Sequence, residues 1–143
     1  MVWIEIKSRE DIKEFQTMFG SFHDSCLKEL VMWNGFHVNE DLSMAFGDGL
    51  HNNIRMLFQR QYNNPSAIEL VFEGVQEFHL RNARFIYDAN LIIHDGMFFW
   101  SDMYEWKPYD TDEHTTWIAS KKVKWRDVSE WMGDERRYGL TTW

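Results

Sequence analysis

Cysteine is nearly absent from this 143-residue chain, with Cys26 its single representative. One thiol excludes an intramolecular disulfide, and a chain of this length buries enough surface to fold without one. A reducing compartment follows, and the cytoplasm is the expected location. No uninterrupted apolar run approaches the ~18 residues that a membrane helix needs. The opening residues, MVWIEIKSREDI, become charged too soon for a secretory signal peptide, so the chain reads as complete, with no leader and no membrane association. Positive charge is scarce. Fifteen Lys and Arg stand against 23 Asp and Glu, a net charge of -8, which argues against a nucleic-acid partner because phosphate binding needs a concentrated cationic surface. The one compact basic stretch, Lys121, Lys122, Lys124 and Arg126, would be split between two faces by strand alternation. Gly-rich phosphate loops, nucleophile elbows and paired-carboxylate signatures are missing, as are linkers and low-complexity tracts. A single domain spanning 1–143 is expected, with its oligomeric state open.

What the chain has in quantity is aromatic material: 17% of its residues, including eight Trp and eleven Phe. Large rings favour strands and dominate cores and binding patches alike. Val2 to Ile6 alternates apolar and polar as a short strand would. Ser8 then serves as a helix N-cap with Asp11 in the first turn, Ile12, Phe15 and Phe19 recur at helical spacing, and Gly20 ends the helix. Cys26 to Trp33 reads as a strand, turned at Asn34-Gly35 into a hairpin that returns through Phe36-His37-Val38; Asn39 to Asn53 reads as a loop. Period-two alternation marks Ile54 to Tyr62, Ile68 to Phe72 after the Asn63-Asn64-Pro65 turn, and Phe85 to Ile93. Asp95-Gly96 signals a second hairpin into Met97 to Trp100, and Trp117 to Trp125 completes another strand. Val128, Trp131 and Met132 repeat at helical spacing before Gly133. Parallel connections would need crossover helices that the chain lacks. The expected class is α+β, mainly antiparallel β in a sandwich or curved sheet, with one N-terminal helix and a short C-terminal one.

Two histidine-aspartate pairs, His23-Asp24 and His94-Asp95, are the first candidates for chemistry. Together they could supply ligands to one metal ion and lower the pKa of a bound water, as a hydrolase requires. A structural reading competes: Asp95 is explained by its hairpin, and at the earlier pair Asp24 would bond to free backbone N–H groups while the His23 ring anchors a corner. No metal and no cofactor are expected on that reading. Cys26 lies close to His23 but reads as a small apolar strand residue. The stretch SDMYEWKPYDTDEH, Ser101 to His114, interleaves Tyr104, Trp106 and Tyr109 with Asp102, Glu105, Asp110, Asp112 and Glu113. Rigid rings flanked by carboxylates suit the binding of a cationic protein, and Tyr104, Glu105, Trp106, Tyr109, Asp110, Asp112 and Glu113 are the candidate contact residues. The alternative is a solvated acidic loop whose rings fold back on the core.

Phe19-Gly20-Ser21-Phe22-His23-Asp24-Ser25, opening a strand, resembles the Phe-His-Asp-small corner near the N-terminus of a group of bacterial immunity proteins from polymorphic toxin systems. Leu70-Val71-Phe72-Glu73-Gly74-Val75, followed by Phe78-x-Leu80, is similar to a phrase in the middle of the same proteins. The Phe58 to Gln61 strand and the Asp95 to Trp100 hairpin also resemble segments of small bacterial proteins with no assigned activity. The immunity resemblance implies a non-catalytic cytoplasmic protein that binds and blocks a toxin; the acidic balance would suit a basic one.

Overall fold

A computed structural model of the chain describes residues 2–47, 51–81, 85–108, 110 and 114–139. After strand β1 (Ile4–Ile6), Ser8 caps helix α1 (Arg9–Met18): its hydroxyl accepts the Asp11 N–H at 3.1 Å and the Asp11 carboxylate accepts the Ser8 N–H at 3.2 Å. Two otherwise orphaned donors are satisfied reciprocally, which fixes where the helix starts. Ile12 and Phe15 form its buried face.

Among the described residues eight further strands follow: β2 (Ser25–Trp33), β3 (His37–Val38), β4 (Met44–Ala45), β5 (Asn53–Arg60), β6 (Ala67–His79), β7 (Asn90–His94), β8 (Met97–Ser101) and β9 (Trp117–Asp127). Seven make one antiparallel sheet in the order β2-β5-β6-β9-β8-β7, with β1 beside β9. β1 lies against Val123 to Trp125 and β8 against Trp117 to Ser120, so they share one side of β9. The mainly antiparallel α+β class read from the alternation is the class observed. Its two layers come from α1 on one face and the C-terminal segment on the other, not from a second sheet. Among the described residues no helix is long and apolar enough to cross a membrane.

The helix-side face carries the main core. Ile54, Met56 and Phe58 of β5 and Ile68, Leu70 and Phe72 of β6 are buried there with Trp100 and the helix residues. Phe22, fully buried, meets Phe58 at 4.8 Å, Phe19 at 5.1 Å, Phe15 at 5.7 Å and Trp100 at 5.8 Å between ring centroids, each edge to face. That geometry sets the positive edge of one ring against the negative face of another.

Alternation turns the intervening residues to the other face. Glu69 stands there with no exposed surface, across from Leu57 on β5 and Arg126 on β9. Arg126 Nε donates to Glu69 Oε1 at 2.7 Å, while Arg55 Nη2 at 2.9 Å and the Tyr138 hydroxyl at 2.7 Å both reach Oε2. Residues 128–139 are strapped across this half of the face. Val128 joins Leu57 and Ala67 in a small second core beside Trp131 and Tyr138, and the Glu29 carboxylate accepts the N–H groups of Arg137 and Tyr138.

Three expectations are corrected. The short helix at 128–133 is a single turn, Trp131 N–H to Val128 O at 2.7 Å. Asp127 takes the Ser129 N–H, and the Gln59 side chain donates to the Trp131 and Gly133 carbonyls, which holds the segment against the sheet instead of in a helix. The Asn34-Gly35 hairpin does not fold β3 onto β2. The Asn34 side chain accepts the Phe36 N–H at 2.9 Å, β2 pairs with β5, and β3 pairs in a separate ribbon with β4, which lies within the expected 39–53 loop. Gly35 and Gly47 pass so closely that a Cβ on Gly47 would lie 2.7 Å from the Gly35 carbonyl carbon. The strand expected from Phe85 starts only at Asn90, because Ile86 and Ala89 donate their N–H groups to Ser25 and Ser21 at the corner. The Asp95-Gly96 hairpin is present, with φ of 51° and 75°.

Replacing Phe22 by alanine should lower unfolding free energy by about 3–5 kcal/mol in urea titrations, since the buried ring packs on four others and its removal leaves a cavity. A loss below about 1 kcal/mol would show that the corner packs otherwise.

Candidate functional site

The first candidate is the corner. Gly20, Ser21 and Phe22 have φ of 59°, 51° and 63°, and Asp24 has 55°, so the chain winds left-handed between α1 and β2. Non-glycine residues hold such angles only where their surroundings over-determine them. Here Phe22 is locked in the core, the Ser25 hydroxyl donates to Phe22 O at 2.6 Å, and Ser21 O accepts the Ala89 N–H at 2.9 Å. His23 Nδ1 donates to the Tyr87 carbonyl at 2.8 Å. Its Nε2 lies 3.4 Å from the Asp24 carboxylate and its Nδ1 3.6 Å from that of Asp88. The carboxylate of Asp24 thus faces the imidazole instead of backbone N–H groups, and the pair ties residues 20–25 to residues 86–89. The carbonyl bond first, and Asp24 next, raise the His23 pKa above 6.5.

The second pair is local too. His94 Nε2 stands 3.3 Å from Asp95 at the β7–β8 turn. Among the described residues, no three His, Cys, Asp or Glu side chains are grouped so as to hold a metal ion, so the hydrolase arrangement of His23, Asp24, His94 and Asp95 is not assembled. Cys26 is half-buried in β2 opposite Gln59.

In the stretch between β8 and β9, Tyr109, Asp112 and Glu113 lie outside the described residues. Tyr104, Glu105 and Asp110 are exposed. Trp106 is turned inward at 5% exposure, stacked on Trp117 at 5.1 Å, so its ring packs the loop onto the sheet. Asp110 accepts the Lys107 N–H at 2.9 Å and Asn90 donates to Tyr104 O at 3.2 Å. Between this segment and β7 lies an open hollow of about 730 Å³, bordered by Ile92, His94, Tyr104, Glu105 and Lys107.

Two surfaces are additions to the sequence reading. One is the β3–β4 ribbon, on which Phe36, Val38, Met44 and Phe46 are roughly half exposed or more and Leu42 is 84% exposed. The Asp41 carboxylate accepts both the N–H and the hydroxyl of Ser43, which holds its turn and keeps the carboxyl below the usual range. Apolar residues at 36, 38, 42, 44 and 46 were the available signal, hidden by the polar residues and glycines around them. The other is the polar face of the sheet, where Arg55, Lys124, Arg126 and Trp3 border a pocket. Ribbon and loop leave the sheet at the same end: β2 ends at Trp33 opposite Asn53, and β8 ends at Ser101 opposite Trp117.

No protein-family model, curated protein or solved structure matches this chain.

With its folded-state pKa raised, His23 contributes stability that is fully present below pH 6.5 and fades as pH rises through the folded value. Imidazole resonances followed by NMR should give a midpoint above 6.5, and His23→Gln should remove that part of the pH dependence. A midpoint at or below 6.5 would contradict the brace.

Proposed function

We propose that this chain is a non-catalytic protein-binding domain that, like the immunity proteins its corner resembles, neutralises a basic protein toxin in the cytoplasm. One observation carries the reading: the β3–β4 ribbon displays Phe36, Val38, Leu42, Met44 and Phe46 to solvent. A two-stranded ribbon is marginal by itself, and large apolar side chains grouped on a surface mark places where another protein docks. The ribbon costs solubility and covers none of the main core, so a partner is its simplest use.

The acidic balance supplies the sign of that partner. A net charge of -8 attracts a cationic protein over the range of the Debye length and speeds encounter. Glu105 and Asp110 carry this charge at the end of the sheet from which the ribbon also leaves, with Tyr104 as an exposed ring beside Glu105 in sequence. Apolar contact at the ribbon and acidic contact at the loop then divide affinity from steering.

Full-length tagged protein immobilised against extract of its own cells should retain one basic protein, released by rising salt. The double variant Leu42→Asp with Phe46→Asp, whose side chains are solvent-exposed and whose circular dichroism should be unchanged, should weaken the purified pair by at least about tenfold. Glu105→Lys should slow association more than it speeds dissociation. Equal retention by wild type and the ribbon variant, or no retained protein, would overturn the proposal.

A further inference from the structure

Among the described residues, the 128–139 segment lies over one part of the polar face of the sheet, and another part forms a pocket of about 510 Å³. Strand register generates it. Val31, Arg55, Val71 and Lys124 face one another across β2, β5, β6 and β9, and Arg126 lies one pleat further along β9. The Trp3 ring, just before β1, sits beneath three cations: Arg126 at 4.5 Å, Lys124 at 4.8 Å and Arg55 at 5.9 Å from its centroid. Trp33 closes the rim with 69% of its surface exposed.

We propose that this pocket binds an anionic group, a carboxylate or phosphate, carried on a flat or apolar body. Its charged lining comprises Arg55, Lys124 and Arg126 against Glu73, two net positive charges in a chain of net charge -8. Counting buried Glu69 beneath them still leaves one. Glu69 engages a single nitrogen of each guanidinium, Nη2 of Arg55 and Nε of Arg126, and so holds both planes still. The remaining N–H groups of these two side chains have no protein acceptor among the described residues, and the Arg55 Nε is wholly enclosed without one. Fixed forks with unused donors suit a planar or tetrahedral oxyanion, and little side-chain entropy remains to be lost when it binds. Val31, Val71 and the Trp rings supply the apolar wall that a ligand body needs, and the volume fits a small molecule or a single functional group with its ring.

This site is independent of the protein-binding reading, since it draws no residue from the ribbon or the acidic loop. The test uses the full chain and four probes: phenyl phosphate, phenylacetate, benzyl alcohol and inorganic phosphate, titrated while the indole N–H signals of Trp3 and Trp33 are followed by NMR. Phenyl phosphate or phenylacetate should shift both signals saturably, about tenfold or more tightly than benzyl alcohol or inorganic phosphate, and the tighter of the two names the anion class. Lys124→Gln should weaken binding about threefold or more, and Arg126→Lys, which keeps charge but not the fork, about tenfold. Should Arg126→Lys fail to fold, Lys124→Gln and the loss of affinity with added salt in wild type carry the test. The proposal is overturned if neither aromatic anion shifts the indoles by about 10 mM, if benzyl alcohol or inorganic phosphate binds as well, or if Lys124→Gln changes nothing.

Discussion

A carboxylate without exposed surface, in the middle of a central strand, dictates how one whole side of this molecule is built. Removing a charge from water costs several kcal/mol unless it is paired and hydrogen-bonded, so Glu69 on β6 needs partners from both neighbouring strands and from beyond the sheet. Arg55 comes from β5, Arg126 from β9 and the Tyr138 hydroxyl from the C-terminal segment. Burial first, and the Glu69 bond after it, keep the Tyr138 phenol protonated well above its ordinary range, so it remains a donor. The strap of residues 128–139 is thereby pinned at its far end, while Val128 against Leu57 and Ala67 holds its near end. Two guanidinium groups are fixed in the same act, and they border the pocket on this face.

The fold therefore separates its tasks by location. Stability rests on the helix-side face, where aromatic rings and the branched side chains of β5 and β6 are sealed by α1 and the left-handed corner. The recognition we propose falls on surfaces that the core does not require: the apolar ribbon and acidic loop at one end, and the cationic pocket on the polar face. His23 belongs with the first group, since its imidazole spans from one backbone segment to another instead of pointing into a cleft with other reactive side chains.

Local signals were the legible part of the fold. The Ser8 to Asp11 capping box, the Asp95-Gly96 turn and the period-two runs of β5, β6 and β9 each express their structure within a few residues, and each is where alternation and turn chemistry put it. What was hidden depends on partners distant in sequence. Asn34-Gly35 has the residues of a tight hairpin, but β5 competes for β2, and the close approach of Gly35 to Gly47 sends the chain into a ribbon instead. Val128 and Trp131 keep a helical spacing, yet Gln59, some seventy residues earlier, donates to the Trp131 and Gly133 carbonyls. Alternation was read as dividing the basic run from Lys121 to Arg126 between faces, yet Lys122, Lys124 and Arg126 share the polar face, opposite Glu73, Val71 and Glu69 of β6. It gave no sign that Lys124 and Arg126 would meet Arg55 and Trp3, because that juxtaposition arises only once β1, β5, β6 and β9 are in register. Trp106 shows the same limit: its neighbours left open an exposed ring or one folded back on the core, and stacking on Trp117 draws it inward.

Whether Glu69 organises the polar face is read from denaturant unfolding of Glu69→Ala together with amide hydrogen exchange at Arg137 and Tyr138. Two guanidinium groups left without their carboxylate should cost about 2–4 kcal/mol, somewhat moderated because both retain contact with water, and the two amides should exchange much faster as the strap comes loose. A variant within about 0.5 kcal/mol of wild type, with those amides as protected as before, would contradict the account.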